Sequence, residues 1–338
     1  MDWTHVYENC NLCPRNCGVN REQQPGACGV GSKLRVARAA LHFWEEPCIS
    51  GTKGSGTVFF SGCNLGCVYC QNREISRGPL HPNGAGVERP EPVGETVSPE
   101  RLTEIFFELE EQGANNINLV TGDHFLPTIA GAIEAAKKRG IGIPFLLNTS
   151  SYLNVETLRR MEGLIDIYLP DFKYIRDTDA IRYSRAPGYP EAAKAAIAEM
   201  VRQQPECCFR FEEGSSDPAQ SSSDIAQISS YSAQQLLTRG VVVRHLLLPG
   251  QLIQAKLIVR YLYETYGDNI FISLMSQYTP NHEVLSEYPE IDRKVTGREY
   301  RSLIDYAAEL GVTRGFIQEG EAASESFIPP FDGSGVGK

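Results

Sequence analysis

The chain has 338 residues, 41% of them apolar, and a formal net charge of −10, so it can bury one large core plus a small appendage. The acidic balance argues against a nucleic-acid partner, because phosphate contacts draw on clustered Lys and Arg. The N-terminus lacks a charged-then-apolar leader and no apolar run approaches membrane-spanning length, so we expect a cytoplasmic protein with no membrane partner.

The first 32 residues are rich in cysteine, proline and glycine and show little periodicity, which predicts a small metal-binding segment. Gaps of two, three and ten residues separate its four thiols, Cys10, Cys13, Cys17 and Cys28. Tetrathiolate zinc, a rubredoxin-like iron and a second iron–sulfur cluster all suit this spacing, and we favour a structural zinc ion.

The chain has ten cysteines, and the absence of an export signal favours metal binding or chemistry over disulfides. Seven of the ten fall in two tight groups. Cys48, Cys207 and Cys208 lie outside these groups, and we expect them to be small buried residues.

From residue 57 onward, short β-branched or aliphatic runs alternate with helical patterns, which is typical of βα units around a parallel sheet. Strands are predicted at 57–61, 116–120, 144–148, 165–169, 241–247 and 270–274. Helices are predicted after Ser98, at 132–139, 154–162, 190–203 and 254–266, and from Thr296 to near Gly311. Six such units predict an α/β fold, an open partial (β/α)6 TIM-like barrel.

The predicted organisation follows from these patterns. Residues 1–32 form the cysteine-rich segment, 33–56 a connector, 57–318 the partial barrel and 319–338 a C-terminal tail. Residues 212–235 are rich in Ser and Gln, which predicts a flexible surface insertion.

The first predicted strand leads directly into a loop that carries Cys63, Cys67 and Cys70. Barrel sites are built at the carboxyl ends of strands, where this loop lies. Iron–sulfur cubanes normally take four cysteines, so three on one loop leave one iron with an open coordination position. A zinc site with a distant fourth ligand, or simply buried thiols, are the alternatives.

The spacing of these cysteines, with the aromatic Tyr69 before the last one, resembles the radical S-adenosylmethionine (SAM) superfamily. The resemblance implies that the open iron of a [4Fe–4S] cluster chelates SAM, and that the reduced cluster cleaves SAM to methionine and a 5′-deoxyadenosyl radical that abstracts hydrogen. Cys13-Pro-Arg-Asn-Cys17, residues 118–125, 166–174 and 243–250 further resemble pyruvate formate-lyase-activating enzymes of the PflX type. This finer resemblance covers nearly the whole chain.

Polar residues accumulate beyond the predicted strands and are expected to ring the cysteine loop. The candidate SAM contacts are Tyr69, Asn72, Thr121, Asp123, Asn148, Thr149, Asp171, Lys173, Arg244 and Gln277. Lys173 and Arg244 suit the SAM carboxylate, and Asp171 suits its cationic groups. Each of these residues alone is equally consistent with a structural hydrogen bond at a strand end.

The resemblance also implies a match to glycyl-radical activases, in which an Asp-x-Lys element and an Asp-Thr pair surround SAM. Asp171 and Lys173 match the first element, and Asn148 with Thr149 matches the second with Asn in place of Asp.

Three functions remain open: activation of a glycyl-radical enzyme, radical modification of a small molecule or peptide, and a non-catalytic iron–sulfur or zinc protein. The two enzymatic functions require a reductant such as flavodoxin or ferredoxin. No residue outside the cluster and SAM is predicted to be catalytic.

Overall fold

The structure is a computed structural model that describes residues 3–76, 93–212, 235–317 and 328–337. Its strands are β1 (Arg35–His42), β2 (Ser55–Phe60), β3 (Glu95–Thr96), β4 (Ile117–Val120), β5 (Phe145–Thr149), β6 (Ile167–Pro170), β7 (Cys208–Phe211), β8 (Gln235–Leu246), β9 (Phe271–Met275) and β10 (Gly315–Ile317). They form one sheet in the order β10-β9-β8-β6-β5-β4-β2-β1-β3, with β7 paired to β8 outside this path.

The helices lie between these strands. They are α1 (Pro47–Ser50), α2 (Arg73–Ser76), α3 (Pro99–Glu111), α4 (Leu126–Lys138), α5 (Val155–Arg159), α6 (Asp177–Ser184), α7 (Tyr189–Gln203), α8 (Leu252–Tyr266), α9 (His282–Leu285) and α10 (Gly297–Leu310). Within the described ranges, none of them has the length and apolar character needed to cross a bilayer.

The centre of the sheet is parallel from β2 through β4, β5, β6, β8 and β9 to β10. Strands β2, β4 and β6 are buried along their whole length, as expected for a sheet covered on both faces. The predicted α/β class is therefore confirmed. Over the described residues no ladder joins β10 to β3, so the sheet stays open at one side.

All six predicted strands occur, but the described residues contain seven parallel strands, one more than predicted. The seventh parallel strand, β10, has only three residues, which is too short for a period to be read. The predicted connector contains β1, antiparallel to β2, and α1. Three of the eight residues of β1 are alanines, a poor strand former, and this hid the strand from sequence analysis.

The capping signals located two helices correctly. Ser98 Oγ accepts the backbone N–H of Arg101 at 3.1 Å, where α3 begins. Thr296 and Glu299 form the expected capping box at the start of α10, and Gly311 ends that helix with φ +92°. Of the helices predicted from periodicity, α4 begins six residues before the predicted start, and α5 spans only Val155–Arg159.

The N-terminal segment packs on the barrel. The carbonyl of Leu12 accepts the backbone N–H of Asn154 at 3.2 Å and the hydroxyl of Thr157 at 2.9 Å. Arg21 is fully buried, and its guanidinium lies over the rings of Tyr7 and Phe125, 4.9 and 5.5 Å from their centroids. These contacts fix the cysteine-rich segment against the side of the sheet that carries β4 and β5.

Residues 328–337 of the predicted tail pack against β1. The backbone N–H of Ala39 donates to the carbonyl of Ser334 at 2.9 Å, and the Phe331 ring meets Phe59 edge to face at 5.4 Å. The predicted insertion at 212–235 lies outside the described residues except for its two end positions.

One of the three cysteines predicted to be buried is exposed. Cys48 is buried in α1 and Cys207 is half-buried, but Cys208 faces solvent. The reason is its position on β7, a short strand that pairs only with β8 and lies off the main path of the sheet.

Candidate functional site

A cavity of about 320 Å³ lies at the carboxyl ends of the parallel strands. Its lining includes all three cysteines of the loop after β2, namely Cys63, Cys67 and Cys70. Nine of the ten predicted SAM contacts also line it: Tyr69, Asn72, Thr121, Asn148, Thr149, Asp171, Lys173, Arg244 and Gln277. The tenth, Asp123, is buried behind the lining. We refer to this space as the site cavity.

The cysteine loop is held in place by backbone contacts. The N–H of Cys63 donates to the carbonyl of Cys28 at 3.1 Å, and the N–H of Val68 donates to the carbonyl of Tyr183 at 2.8 Å. Gly62 has φ +89°, and a Cβ at this position would lie 2.9 Å from the Cys28 carbonyl oxygen. Glycine is therefore required where the loop leaves β2.

The three thiols suit a cluster that bears positive charge. Burial and the neighbouring thiols raise the pKa of Cys63 and of Cys70, so these two thiols favour the neutral form until a metal centre compensates their charge as thiolates. Within the described ranges, no three His, Cys, Asp or Glu side chains are close enough to hold one metal ion. A cubane binds each thiolate through a different iron, so its ligands need not converge on a single ion.

Each sulfur of the loop already accepts one hydrogen bond. Cys63 Sγ accepts the N–H of Leu65 at 3.4 Å, Cys67 Sγ accepts the hydroxyl of Ser184 at 3.0 Å, and Cys70 Sγ accepts the hydroxyl of Ser76 at 3.2 Å. Donors directed at sulfur stabilise thiolate ligands, so the surroundings fit an iron–sulfur cluster.

Asp171 and Lys173, which follow β6, form an ion pair in the site cavity with Nζ 2.6 Å from Oδ2. Burial lowers the pKa of Lys173, but the Asp171 carboxylate and the Cys67 thiol outweigh burial and raise this pKa above its ordinary value. The Tyr189 hydroxyl accepts the backbone N–H of Lys173 at 3.0 Å and lies 2.9 Å from the Asp171 carbonyl. The pair is thus a fixed, charged feature of the wall.

Asn148 and Thr149 end β5 beside that pair. The backbone carbonyl of Asn148 accepts the N–H of Thr121, a residue with φ +58° at the end of β4. Thr149 Oγ1 accepts the N–H of Ser151 at 3.2 Å, so the threonine is partly engaged in holding its own turn. The Asn148 side chain remains half-buried on the cavity wall.

Arg244 meets two carboxylates that sequence analysis did not assign to it. Its guanidinium donates to Glu46 through Nε at 2.8 Å and through a second nitrogen at 2.5 Å, and it also donates to Glu45. Asn118 Nδ2 donates to Glu45 Oε1 at 2.9 Å. Arg244 thus has two protein carboxylate partners, and its predicted contact with the SAM carboxylate stays a prediction.

Asp123 and His124 are buried polar residues next to the cavity. Burial raises the pKa of Asp123 to about 7, and its Oδ2 accepts the Ser150 hydroxyl at 3.4 Å. Burial lowers the pKa of His124 to about 3, so this imidazole is neutral, and its Nε2 lies 2.9 Å from the Ser61 carbonyl. Both residues lie behind the cavity lining, where they hydrogen-bond to residues of the surrounding loops.

The four N-terminal thiols are neighbours, but within the described residues no three of them are close enough to hold one metal ion. A Cβ on Gly26 would lie 3.4 Å from Cys17 Sγ and 3.5 Å from Cys28 Sγ. Burial is the main reason that the pKa of Cys13 rises to about 12, and the other three thiols, on Cys28, Cys10 and Cys17, add to the rise. These thiols lie apart from the site cavity, whose lining contains none of them.

Sequence analysis left several pairings of site residues unassigned because the partners are remote along the chain. Glu45 and Glu46 are almost 200 positions from Arg244, and Ser184 is 117 positions from Cys67. The only local signal was the adjacent acidic pair itself, which is unusual just before a buried strand.

Comparison with known proteins agrees with this geometry. Residues 57–210 match the family model of the Radical SAM superfamily. The match runs from β2 into β7 and covers less than half of the chain. A curated relative from Methanocaldococcus jannaschii, Uncharacterized protein MJ0674, is 26% identical over 311 residues, which cover 91% of this chain and 77% of the relative.

Two solved structures are similar at low identity. Streptococcus suis SuiB bound to its precursor peptide SuiA is 9% identical, with a TM-score of 0.43 over 77% of this chain and 47% of SuiB. The FeFe-hydrogenase maturase HydG from Carboxydothermus hydrogenoformans is 14% identical, with a TM-score of 0.40 over 79% of this chain and 58% of HydG. The chain thus spans about half the length of these two proteins.

Proposed function

We propose that this protein is a radical SAM enzyme whose [4Fe–4S] cluster is bound by Cys63, Cys67 and Cys70. The observation that supports the proposal is the convergence of three thiols, each with a hydrogen-bond donor, on one cavity with charged groups from other strand ends. When bound, the reduced cluster supplies the electron that cleaves SAM to methionine and a 5′-deoxyadenosyl radical for hydrogen abstraction.

The residues of the chain bind and orient in this proposal. Lys173 provides a half-buried cation for the SAM carboxylate, with Asp171 holding its ammonium group in place. Asn148 and Gln277 provide amides for ribose hydroxyls from two different strands. Tyr69 packs edge to face with Tyr278, 6.0 Å between centroids, and helps to exclude water from the loop.

We further propose a glycine of a partner glycyl-radical enzyme as the hydrogen donor, with flavodoxin or ferredoxin as reductant. The support is the match of Asp171-x-Lys173 and Asn148-Thr149 to the pattern of glycyl-radical activases. A small molecule or a peptide side chain is the alternative target. The N-terminal cysteines are proposed to hold a structural zinc ion, with a second iron–sulfur cluster as the alternative.

The first test is the chemistry itself. Anaerobically purified full-length protein should contain iron and sulfide, and with dithionite and SAM it should form 5′-deoxyadenosine. Cys63→Ala should lose both the cluster and the product. Cys208→Ala, which removes an exposed thiol on β7, should keep both. Failure to form deoxyadenosine at full cluster occupancy would refute the enzyme proposal.

The second test concerns the target. Candidate glycyl-radical enzymes are incubated with the reduced protein and SAM, and electron paramagnetic resonance is recorded. A glycyl doublet on the partner chain supports activation. SAM cleavage accompanied by hydrogen loss from a small molecule or peptide instead would support the alternative.

A further inference from the structure

Ser184 and Ser76 are two buried hydroxyls that contact the cysteine loop from outside it. Ser184 is the last residue of α6, and its Oγ lies 3.0 Å from Cys67 Sγ. Ser76 ends α2, and its Oγ lies 3.2 Å from Cys70 Sγ. Neither serine lies in the cysteine motif.

The direction of these hydrogen bonds follows from the chemistry of the ligands. A cysteine that binds iron is a thiolate and has no proton to give. The serine hydroxyls must therefore donate to sulfur when the cluster is bound. Such hydrogen bonds favour the form of the centre that carries more negative charge.

A second step extends the network behind Ser184. The Tyr174 hydroxyl lies 2.6 Å from Ser184 Oγ, and the Tyr69 hydroxyl lies 2.6 Å from that of Tyr174. Ser184 donates its single hydroxyl proton to Cys67 Sγ. Tyr174 must therefore donate to Ser184, and Tyr69 must donate to Tyr174. The result is a one-way chain of donors that begins at Tyr69 and returns to Cys67 in the same loop.

Burial makes this chain effective. Ser184 and Tyr174 are fully inaccessible, and Tyr69 is 7% exposed. Hydrogen bonds in such surroundings are stronger than in water, and successive donors polarise one another.

We propose that Ser184, supported by Tyr174 and Tyr69, and Ser76 are positioning residues that raise the reduction potential of the cluster through hydrogen bonds to its thiolate ligands. The inference rests on the proposed function, since it requires the cluster on Cys63, Cys67 and Cys70. Reduction of the cluster adds one electron and no proton. The added negative charge is what the donors stabilise.

The experiment is a potentiometric titration of the full-length protein with dithionite, without SAM, in which electron paramagnetic resonance follows the reduced cluster. Loss of one hydrogen bond to sulfur should make reduction about tenfold less favourable, which for one electron is a potential about 59 mV lower. We expect this shift for Ser184→Ala and a shift in the same direction for Ser76→Ala. Tyr174→Phe should give a smaller shift, because Ser184 still donates to sulfur but is no longer polarised.

Ser55→Ala is the matched control. Ser55 is equally buried, and its hydroxyl donates to Asn116 Oδ1 at 2.6 Å at the far end of β2. The cluster of the Ser55→Ala variant should have the same reduction potential as the wild-type cluster. Equal potentials in Ser184→Ala, Ser76→Ala and wild type, at matched iron and sulfide, would overturn the inference.

Two results separate this inference from the proposed function. A wild-type protein that binds no cluster refutes the proposed function. A wild-type cluster with unshifted variants refutes only the role of the hydroxyls. If Ser184→Ala loses its cluster during purification, Tyr174→Phe decides, since it leaves Ser184 in place: a lower potential supports the chain, and an unchanged one refutes it.

Discussion

The ion cluster of Glu46, Glu45 and Arg244 allows a stability prediction with a size. Glu46 is 7% exposed and Arg244 8%, and two hydrogen bonds join them at 2.8 and 2.5 Å. Removing one partner of a buried pair costs about 3–5 kcal/mol, because the other charge is stranded. Glu45 remains as a counter-charge, so we expect Glu46→Ala to lose about 3 kcal/mol of unfolding free energy, the low end of this range.

Glu46→Gln removes the charge of the side chain and keeps its shape. The amide oxygen keeps an acceptor for the guanidinium, and a neutral hydrogen bond is about half as strong as a charge-assisted one. Its loss should therefore be smaller than that of Glu46→Ala. The measurement is urea unfolding of the full-length chain by circular dichroism. Glu191→Ala, in an exposed pair with Lys194 at 2.8 Å, is the control and should unfold at the wild-type midpoint.

The effect of Glu46 should also depend on pH. Burial by itself raises the pKa of Glu46, but the charge and hydrogen bonds of Arg244 outweigh burial and hold this pKa below its ordinary value of 4.5. A carboxyl with a depressed folded pKa contributes stability that is complete above the unfolded pKa and lost as pH falls through the folded pKa. The difference between wild type and Glu46→Gln should be full at pH 7 and shrink below about pH 4.5. A difference that is equal at pH 7 and pH 3 would refute the ion pair as its cause.

Three further predictions concern the surroundings of the cysteine loop. Gly62→Ala should destabilise the protein by about 1–3 kcal/mol more than Gly140→Ala. Both glycines have positive φ, but only at Gly62 would a Cβ meet the Cys28 carbonyl. Coinciding urea unfolding midpoints of the two variants would contradict this. The stability of Asp123→Asn relative to wild type should rise by up to ~4 kcal/mol between pH 4 and pH 7 and stay constant above pH 7. The reason is that burial raises the pKa of Asp123 in the folded state to about 7, so the wild type loses stability as pH rises to that value. A pH-independent difference between the unfolding midpoints would refute this. Arg15→Lys should lower iron retention on gel filtration, since an ammonium group cannot reach all three carbonyls that the guanidinium binds; retention equal to wild type would show that these bonds do not hold the loop.

Sequence analysis located what is local or periodic. The cysteine loop follows β2, and Asp171 and Lys173 follow β6. These residues were expected to lie close together, since the carboxyl ends of parallel strands meet at one edge of a sheet. Short β-branched or aliphatic runs, helical periodicity and caps were enough to place these elements. Strand β1 and strand β10 escaped because one is alanine-rich and the other is too short.

The remaining parts of the site depend on contacts that no local pattern encodes. Arg244 was predicted to contact a ligand carboxylate, and its contacts with Glu45 and Glu46, which the fold brings from before the first parallel strand, were not predicted. The hydroxyl of Ser184 reaches Cys67 from the last residue of α6, next to Arg185 with φ +48°. Such pairings are set by tertiary packing, which a single sequence does not reveal.

The N-terminal cysteines and the cysteine loop are linked through the backbone. Cys28 supplies one of the four N-terminal thiols, and its carbonyl also accepts the N–H of Cys63. Arg15, between Cys13 and Cys17, donates to the carbonyls of Asn64 in the loop and of Ser184, the donor to Cys67. The cysteine-rich segment is therefore part of the frame that holds the loop, and if the proposed metal orders its thiols, it also orders that frame. These bonds join a segment whose thiols lie outside the site cavity to the loop that lines it.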